Sequence, residues 1–137
     1  LVPGGGVVKV LDRLEEGDLK LVREALKYDV SGHTPESVAK LVEMGRVQAA
    51  RLEWPNASAL IVAHVCEEPS GRELFIWLLA GKGLAWRVRE LTALFDHMAR
   101  ASGCQFVRTN ARLKVARVLQ RRMGFRAYCI GLERRVK

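Results

Sequence analysis

The stretch ELFIWLLAGKGLAWRVRELTALFDHMARASG, Glu73 to Gly103, constrains the fold more than any other part of the chain. It reads as an apolar strand over Leu74–Leu79, a glycine turn, and a long helix over Leu84–Ser102. Leu84, Val88, Leu91, Phe95 and Met98 recur at spacings of four, three, four and three, which places them on one helix face. A strand that feeds a helix through a glycine turn presents bare backbone N–H groups at a helix N-terminus, an arrangement that can hold phosphates. The turn is not a P-loop, because Ile76 stands where the first glycine is required and Gly83 occupies the Ser/Thr position. No third glycine completes a dinucleotide fingerprint either.

The rest of the chain arranges itself around this unit. Val7–Leu11 is a short β-branched run and predicts a first strand. Gly17 and Asp18 open a helix carrying Leu19, Val22, Ala25 and Leu26, with Asp18 as its N-cap. Thr34-Pro35 opens a second, with the hydroxyl capping, an apolar stripe at Val38, Leu41 and Val42, and Gly45 as its stop. Strands over Val47–Glu53, Ala59–Cys66 and Leu74–Leu79 are joined by Trp54-Pro55-Asn56 and Glu68-Pro69-Ser70-Gly71, which is turn chemistry and predicts an antiparallel meander. After the long helix come a strand over Gln105–Thr109, a helix over Leu113–Met123 stopped by Gly124, and a last strand over Ala127–Leu132. A meander followed by alternation with helices predicts an α/β (α+β) fold. The expected domain has a mixed, mostly antiparallel sheet of about six strands and about four helices, on both faces.

At 137 residues and 49% apolar, the chain suits one core, expected over 7–137, with Leu1–Gly6 as a disordered leader. No apolar run approaches the roughly 20 residues that span a bilayer, so no membrane is expected. Cys66, Cys104 and Cys129 each lie in or beside an apolar stretch and read as reduced thiols of a cytoplasmic protein. No Cys/His spacing suggests a metal site. The net charge of +8 is unevenly spread: residues 1–69 carry 8 Lys/Arg against 11 Asp/Glu, and residues 70–137 carry 15 against 4. A basic C-terminal half suits an anionic ligand, or reads as a solvated arginine-rich face.

Element order and motifs together resemble the GNAT superfamily of acyl-CoA-dependent N-acyltransferases, from about Val7 to Val136. The family's turn, Gln/Arg-x-x-Gly-x-Gly/Ala, is matched by Ala80-Gly81-Lys82-Gly83-Leu84-Ala85, with Ala80 replacing the Gln or Arg. Its closing helix ends in Leu-Tyr-x-x-x-Gly-Phe; here Leu119-Gln120-Arg121-Arg122-Met123-Gly124-Phe125 keeps the leucine and the Gly-Phe stop but puts Gln120 in place of the tyrosine. Ile76-Trp77-Leu78-Leu79-Ala80-Gly81 and the Gly-Cys before the fifth strand look most like small phage- and prophage-encoded members.

The resemblance implies acetyl-CoA as cosubstrate and transfer of an acetyl group to an amine acceptor that the sequence leaves unspecified. Strand-four backbone near Leu78 and Leu79 would bind pantetheine, and Gly81, Lys82, Gly83, Leu84 and Ala85 would face the pyrophosphate. Amine acylation also needs a base for the amine and an acid for the departing thiolate. Glu73 is the nearest carboxylate for the first role, and Tyr128 is the hydroxyl available for the second. Trp77 either packs in the core or lines an acceptor pocket, and His33, His64 and His97 read as structural. Arg112, Lys114, Arg117, Arg121 and Arg122 crowd the closing helix and would grip the CoA 3′-phosphate or an acidic partner. The alternative to an enzyme is a GNAT-fold phage or prophage protein that has lost catalysis and binds a phage structural partner. A nucleic-acid module ranks last, because no aromatic-rich basic strand or helix–turn–helix spacing supports it.

Overall fold

The computed structural model describes residues 4–29, 31–111, 113–127, 134 and 136. Its elements run β1 (Val7–Leu11), α1 (Glu16–Leu26), α2 (Pro35–Glu43), β2 (Gln48–Trp54), β3 (Ala57–Glu68), β4 (Gly71–Lys82), a 3-10 turn (Leu84–Trp86), α3 (Val88–Ala101), β5 (Phe106–Thr109) and α4 (Leu113–Arg122). Among the described residues the sheet has five strands in the order β1-β2-β3-β4-β5. The first three pairings are antiparallel, and β4 with β5 is parallel. The expected sixth strand, Ala127–Leu132, lies outside the described residues beyond Ala127.

Both hairpins form where turn chemistry placed them. Two residues, Pro55 and Asn56, link β2 to β3, and Pro69-Ser70 links β3 to β4, with Gly71 at φ 135° where a side chain would be strained. The strands are longer than their apolar runs because backbone pairing continues through Arg72 and Glu73 at one end of β4 and Gly81 and Lys82 at the other.

Alternation divides the sheet into two cores. On one face Ala59, Ile61, Leu74 and Ile76 pack with Leu91, Phe95 and Ala99 of α3. On the other, Leu60, Val62 and Leu78 pack with Val22 of α1 and Val38 and Val42 of α2. Helix α2 starts as expected: Ser37 N–H donates to Thr34 Oγ1 at 3.1 Å, and Thr34 N–H donates to Ser37 Oγ at 2.9 Å. Helix α1 starts earlier than expected. Glu15 is its N-cap, and Asp18 is the third helical residue, accepting from Glu15 N–H at 2.9 Å.

Two further boundaries differ. The long helix begins at Val88, not Leu84, because Gly83 turns left-handed at φ 70° and the next three residues close as a 3-10 turn. Gly6, inside the expected leader, is buried, and a Cβ there would come within 2.5 Å of Trp54 Nε1. No described helix is long and apolar enough to cross a membrane.

Candidate active site

Strands β4 and β5 part company halfway along. Their pairing runs from Glu73↔Phe106 to Ile76↔Thr109, while β4 continues to Lys82 on its β3 side alone. Thr109 Oγ1 donates to the Ile76 carbonyl at 2.8 Å, closing the last pair before the fork. Beyond it, among the described residues, the β5-facing edge of residues 77–82 has no strand partner. An extended ligand carrying amides can pair with such an edge as a strand would.

A bulge sits at the same point. Val62 pairs with Leu78 and Ala63 with Ile76, so Trp77 is the extra residue on β4. Trp77 and Leu78 therefore both face α1 and α2, whereas Ile76 and Leu79 face α3. A bulge leaves local backbone groups outside the regular ladder and re-aims them. Leu78 is buried in the α1/α2 core and Leu79 half-buried in the α3 core, so what either offers a ligand is its backbone.

The glycine turn caps this open edge. Gly81 and Lys82 belong to β4 itself, paired with Ala59 and Ser58, which corrects the expectation that both lie in the turn. A Cβ on Gly81 would collide with the Ser58 carbonyl, so glycine is needed there for close approach of the two strands. Gly83 makes the actual turn. A Cβ there would meet the Asn56 carbonyl at 2.6 Å, so this glycine is needed both for space and for its φ. Leu84 is half-buried and Ala85 exposed in the 3-10 turn, with Lys82 exposed beside them.

Arg87 locks the turn to the sheet. It donates to Asn56 Oδ1 at 2.6 Å, lies 3.5 Å from Glu90 Oε1 and stacks 5.5 Å above the Trp54 ring. Its Nε is buried without a hydrogen-bond partner among the described residues. Trp86 is 81% exposed, and Arg122 of α4 reaches back to the Ala85 carbonyl at 3.4 Å. An exposed aromatic face and α4's cationic end thus lie by the turn.

Of the two expected acid–base groups, Glu73 lies among the described residues. Glu73 is buried near the start of β4, and its carboxylate is ion-paired with Arg108. It precedes Leu78 by five residues, about 16 Å along a strand. Tyr128 and Arg112 lie outside the described residues, and Gln120 is exposed on α4. The backbone groups near Leu78, Leu79, Gly81, Lys82, Gly83, Leu84 and Ala85 come together along one edge, and Glu73 stands apart from them.

On the α1/α2 face lies a pocket of about 240 Å3, walled by Ser31, His33, Leu41, Val47, His64, Phe75 and Trp77. His33 meets the Trp77 ring edge-on at 5.0 Å, and His64 tilts against Phe75 at 5.3 Å. Asp29, in the α1–α2 loop, accepts from Trp77 Nε1 at 3.3 Å. His64 Nδ1 lies 3.1 Å from Cys66 Sγ, a thiol–imidazole contact not expected from the sequence. Its signal was the i, i+2 spacing, which puts both side chains on one face of a strand. Cys66 is half-buried, and burial, aided by Glu73 and Glu68, pushes its thiol pKa up.

No family model matches the chain, and no curated protein matches it. Solved structures do. An aminoglycoside acetyltransferase from an uncultured soil metagenomic sample, in complex with trehalose, aligns at TM-score 0.58 and 17% identity, over 95% of this chain and 97% of its own. Glucosamine-6-phosphate N-acetyltransferase from Arabidopsis thaliana aligns at 0.55 and 17%, over 96% and 99%. AAC(6')-Iy, in complex with the bisubstrate analogue CoA-S-monomethyl-acetylneamine, aligns at 0.60 and 11%, over 96% and 99%. Likeness at this identity speaks for architecture alone: the chain shares its fold with these acetyltransferases.

Proposed function

We propose that the chain is an acyl-CoA-dependent N-acyltransferase that moves an acetyl group from acetyl-CoA to an amine. The observation that carries the reading is the fork: β4 runs six residues past its last pair with β5, bulged at Trp77 and closed by the glycine turn at Gly83. The residues present fit CoA at the unpaired edge of β4 over residues 77–82 and at the exposed Lys82 beside the turn, Gly83 itself being required by the close Asn56 backbone. Acetyl-CoA supplies an activated thioester.

The chain's own groups do the rest. The open edge of β4 near Leu78 and Leu79 hydrogen-bonds the amides of the pantetheine arm. The bulged backbone beside Trp77 offers an N–H to charge developing on the acyl oxygen. Gly81 to Ala85 form the pyrophosphate turn, with Lys82 adding a positive charge. Trp86 gives adenine a flat surface, and Arg121 and Arg122 hold phosphate. Glu73 and Tyr128 stay the proposed base and acid; Glu73, ion-paired with Arg108 and five residues from Leu78, would have to act through a relay of several waters.

Calorimetric titration of acetyl-CoA into wild-type protein and Lys82→Glu tests this reading. Saturable micromolar binding to the wild type is expected, weakened about tenfold, or about 1.4 kcal/mol, by the reversed charge. Lys82 is preferable to Gly83 as the test position because its side chain is exposed, whereas any side chain at Gly83 displaces the turn. No binding at millimolar ligand overturns the reading. It would favour the second one, a GNAT-fold phage or prophage protein without catalysis, to which Ala80 and Gln120 already point.

A further inference from the structure

The pocket on the α1/α2 face shares a residue with the fork. Trp77 is the bulged residue where β4 leaves β5, and it is also a wall of the 240 Å3 pocket. A molecule in that pocket therefore lies beside the β4 backbone that the proposed function assigns to the acyl group. Its walls are mainly flat or apolar: Trp77, Phe75, His33 and His64 contribute four rings, and Leu41 and Val47 contribute aliphatic surface. Rings in offset and edge-on pairs accept a further flat body readily. The size is restrictive. At about 240 Å3 the pocket falls below the roughly 300–1,000 Å3 of pockets for drug-sized ligands, which suits one small ring with a short arm.

Charge on this side favours a cation. Residues 12–43, which build both helices and the loop between them, carry seven Asp/Glu against five Lys/Arg once Asp18, buried and paired with Arg51, is set aside. Asp29 brings a carboxylate to the pocket rim, held by Trp77 Nε1, Ser31 N–H at 3.1 Å and the Ser31 hydroxyl. An ammonium approaching Trp77 meets this carboxylate and the faces of the rings, both of which attract it. His33 is itself engaged, its Nδ1 lying 3.0 Å from Ser37 Oγ, and His64 faces Cys66.

We infer that this pocket is the acceptor subsite and that it takes a compact primary amine with a flat apolar body. Aminosugars of several rings and polyamines do not fit its description. The inference rests on the transferase reading for its chemistry but not for its binding, which separates the two tests.

The test uses 15N-labelled indole groups, with Trp77→Phe assigning the Trp77 signal among the three tryptophans. The probes are 2-phenylethylamine, its alcohol analogue 2-phenylethanol, spermidine and glucosamine, each titrated with and without acetyl-CoA. Saturable movement of the Trp77 signal by 2-phenylethylamine is expected, at least tenfold tighter than by the other three. Asp29→Asn should narrow the preference for amine over alcohol while leaving the alcohol's affinity unchanged. Movement at Trp77 without acetyl-CoA binding supports the pocket and overturns the transferase reading. Acetyl-CoA binding with no movement at Trp77, or with spermidine or glucosamine preferred, overturns the pocket and leaves the transferase standing.

Discussion

Asp18 holds its neighbourhood together from a position only 2% exposed. Its carboxylate accepts from the Glu15 N–H at 2.9 Å and from Arg51 Nε and Nη2 at 3.1 and 2.6 Å, fixing the start of α1 to the middle of β2. The same hydrogen bonds to Asp18 hold the Arg51 guanidinium pKa above its usual value. Arg51 is part-exposed and keeps Glu15 at 3.8 Å, so Asp18→Ala should cost about 2 kcal/mol, the loss of charge-assisted hydrogen bonds from a buried carboxylate. Urea unfolding should show this as a lower midpoint at unchanged slope. The sequence marked Asp18 as a helix-start residue but not its partner, because Arg51 is 33 positions away and only the folded sheet brings it near. Glu73 follows the same logic, its partner Arg108 being 35 positions on. Cys66 gives a second test. Its pKa is raised in the folded protein, first by burial, so the unfolded thiol ionises at lower pH. Stability from this group is full below the unfolded thiol range and falls as pH rises through the folded value. Iodoacetamide modification of Cys66, followed by peptide mapping, should have an alkaline midpoint above that of the urea-unfolded chain.

At the scale of elements, the fork depends on a short strand ending at the right place. β5 spans only Phe106–Thr109, and the Thr109 hydroxyl binds the Ile76 carbonyl just before β4 continues alone. Thr109→Val keeps the branched shape and removes that bond, and should cost about 1 kcal/mol of stability. Thermal unfolding reads the loss, and weaker acetyl-CoA binding by calorimetry would show that the bond also sets the fork. Much of this scale was legible beforehand. The hairpin turns at Pro55-Asn56 and Pro69-Ser70, the Thr34 cap and the α3 stripe are local patterns, and local patterns are written in contiguous residues. The strand ends were less legible, because Gly81 and Lys82 are held in β4 by pairing with Ala59 and Ser58 rather than by their own propensity. The Trp77 bulge and the start of α3 at Val88 have the same origin: register and a left-handed Gly83 decide them, and neither leaves a periodic signal.

Across the whole molecule, charge is sorted along the chain. The acidic excess of residues 1–69 includes α1, α2 and the loop between them, which brings Ser31 and His33 to the Trp77 pocket, and the basic excess of residues 70–137 includes Lys82 and the exposed Arg117, Arg121 and Arg122 of α4. A transferase joining an anionic donor to a cationic acceptor gains from this division, since each ligand is drawn to its own side and repelled from the other. The two ligands should then answer salt differently. Exposed charges are screened over about 10 Å at 0.1 M salt and about 3 Å at 1 M. Acetyl-CoA meets its cations at the surface, so its affinity should fall about tenfold across that range. An aromatic amine at Trp77 is held largely by apolar contact, which salt does not screen, with only Asp29 contributing charge. Its affinity should fall about threefold, less than that of acetyl-CoA because Asp29 is half-buried, measured by calorimetry for acetyl-CoA and by the Trp77 indole signal for the amine. Equal salt sensitivity would mean that the rim charge, not the ring-lined pocket, holds the acceptor. A salt-independent acetyl-CoA affinity would move the binding energy from the basic surface to the open edge of β4.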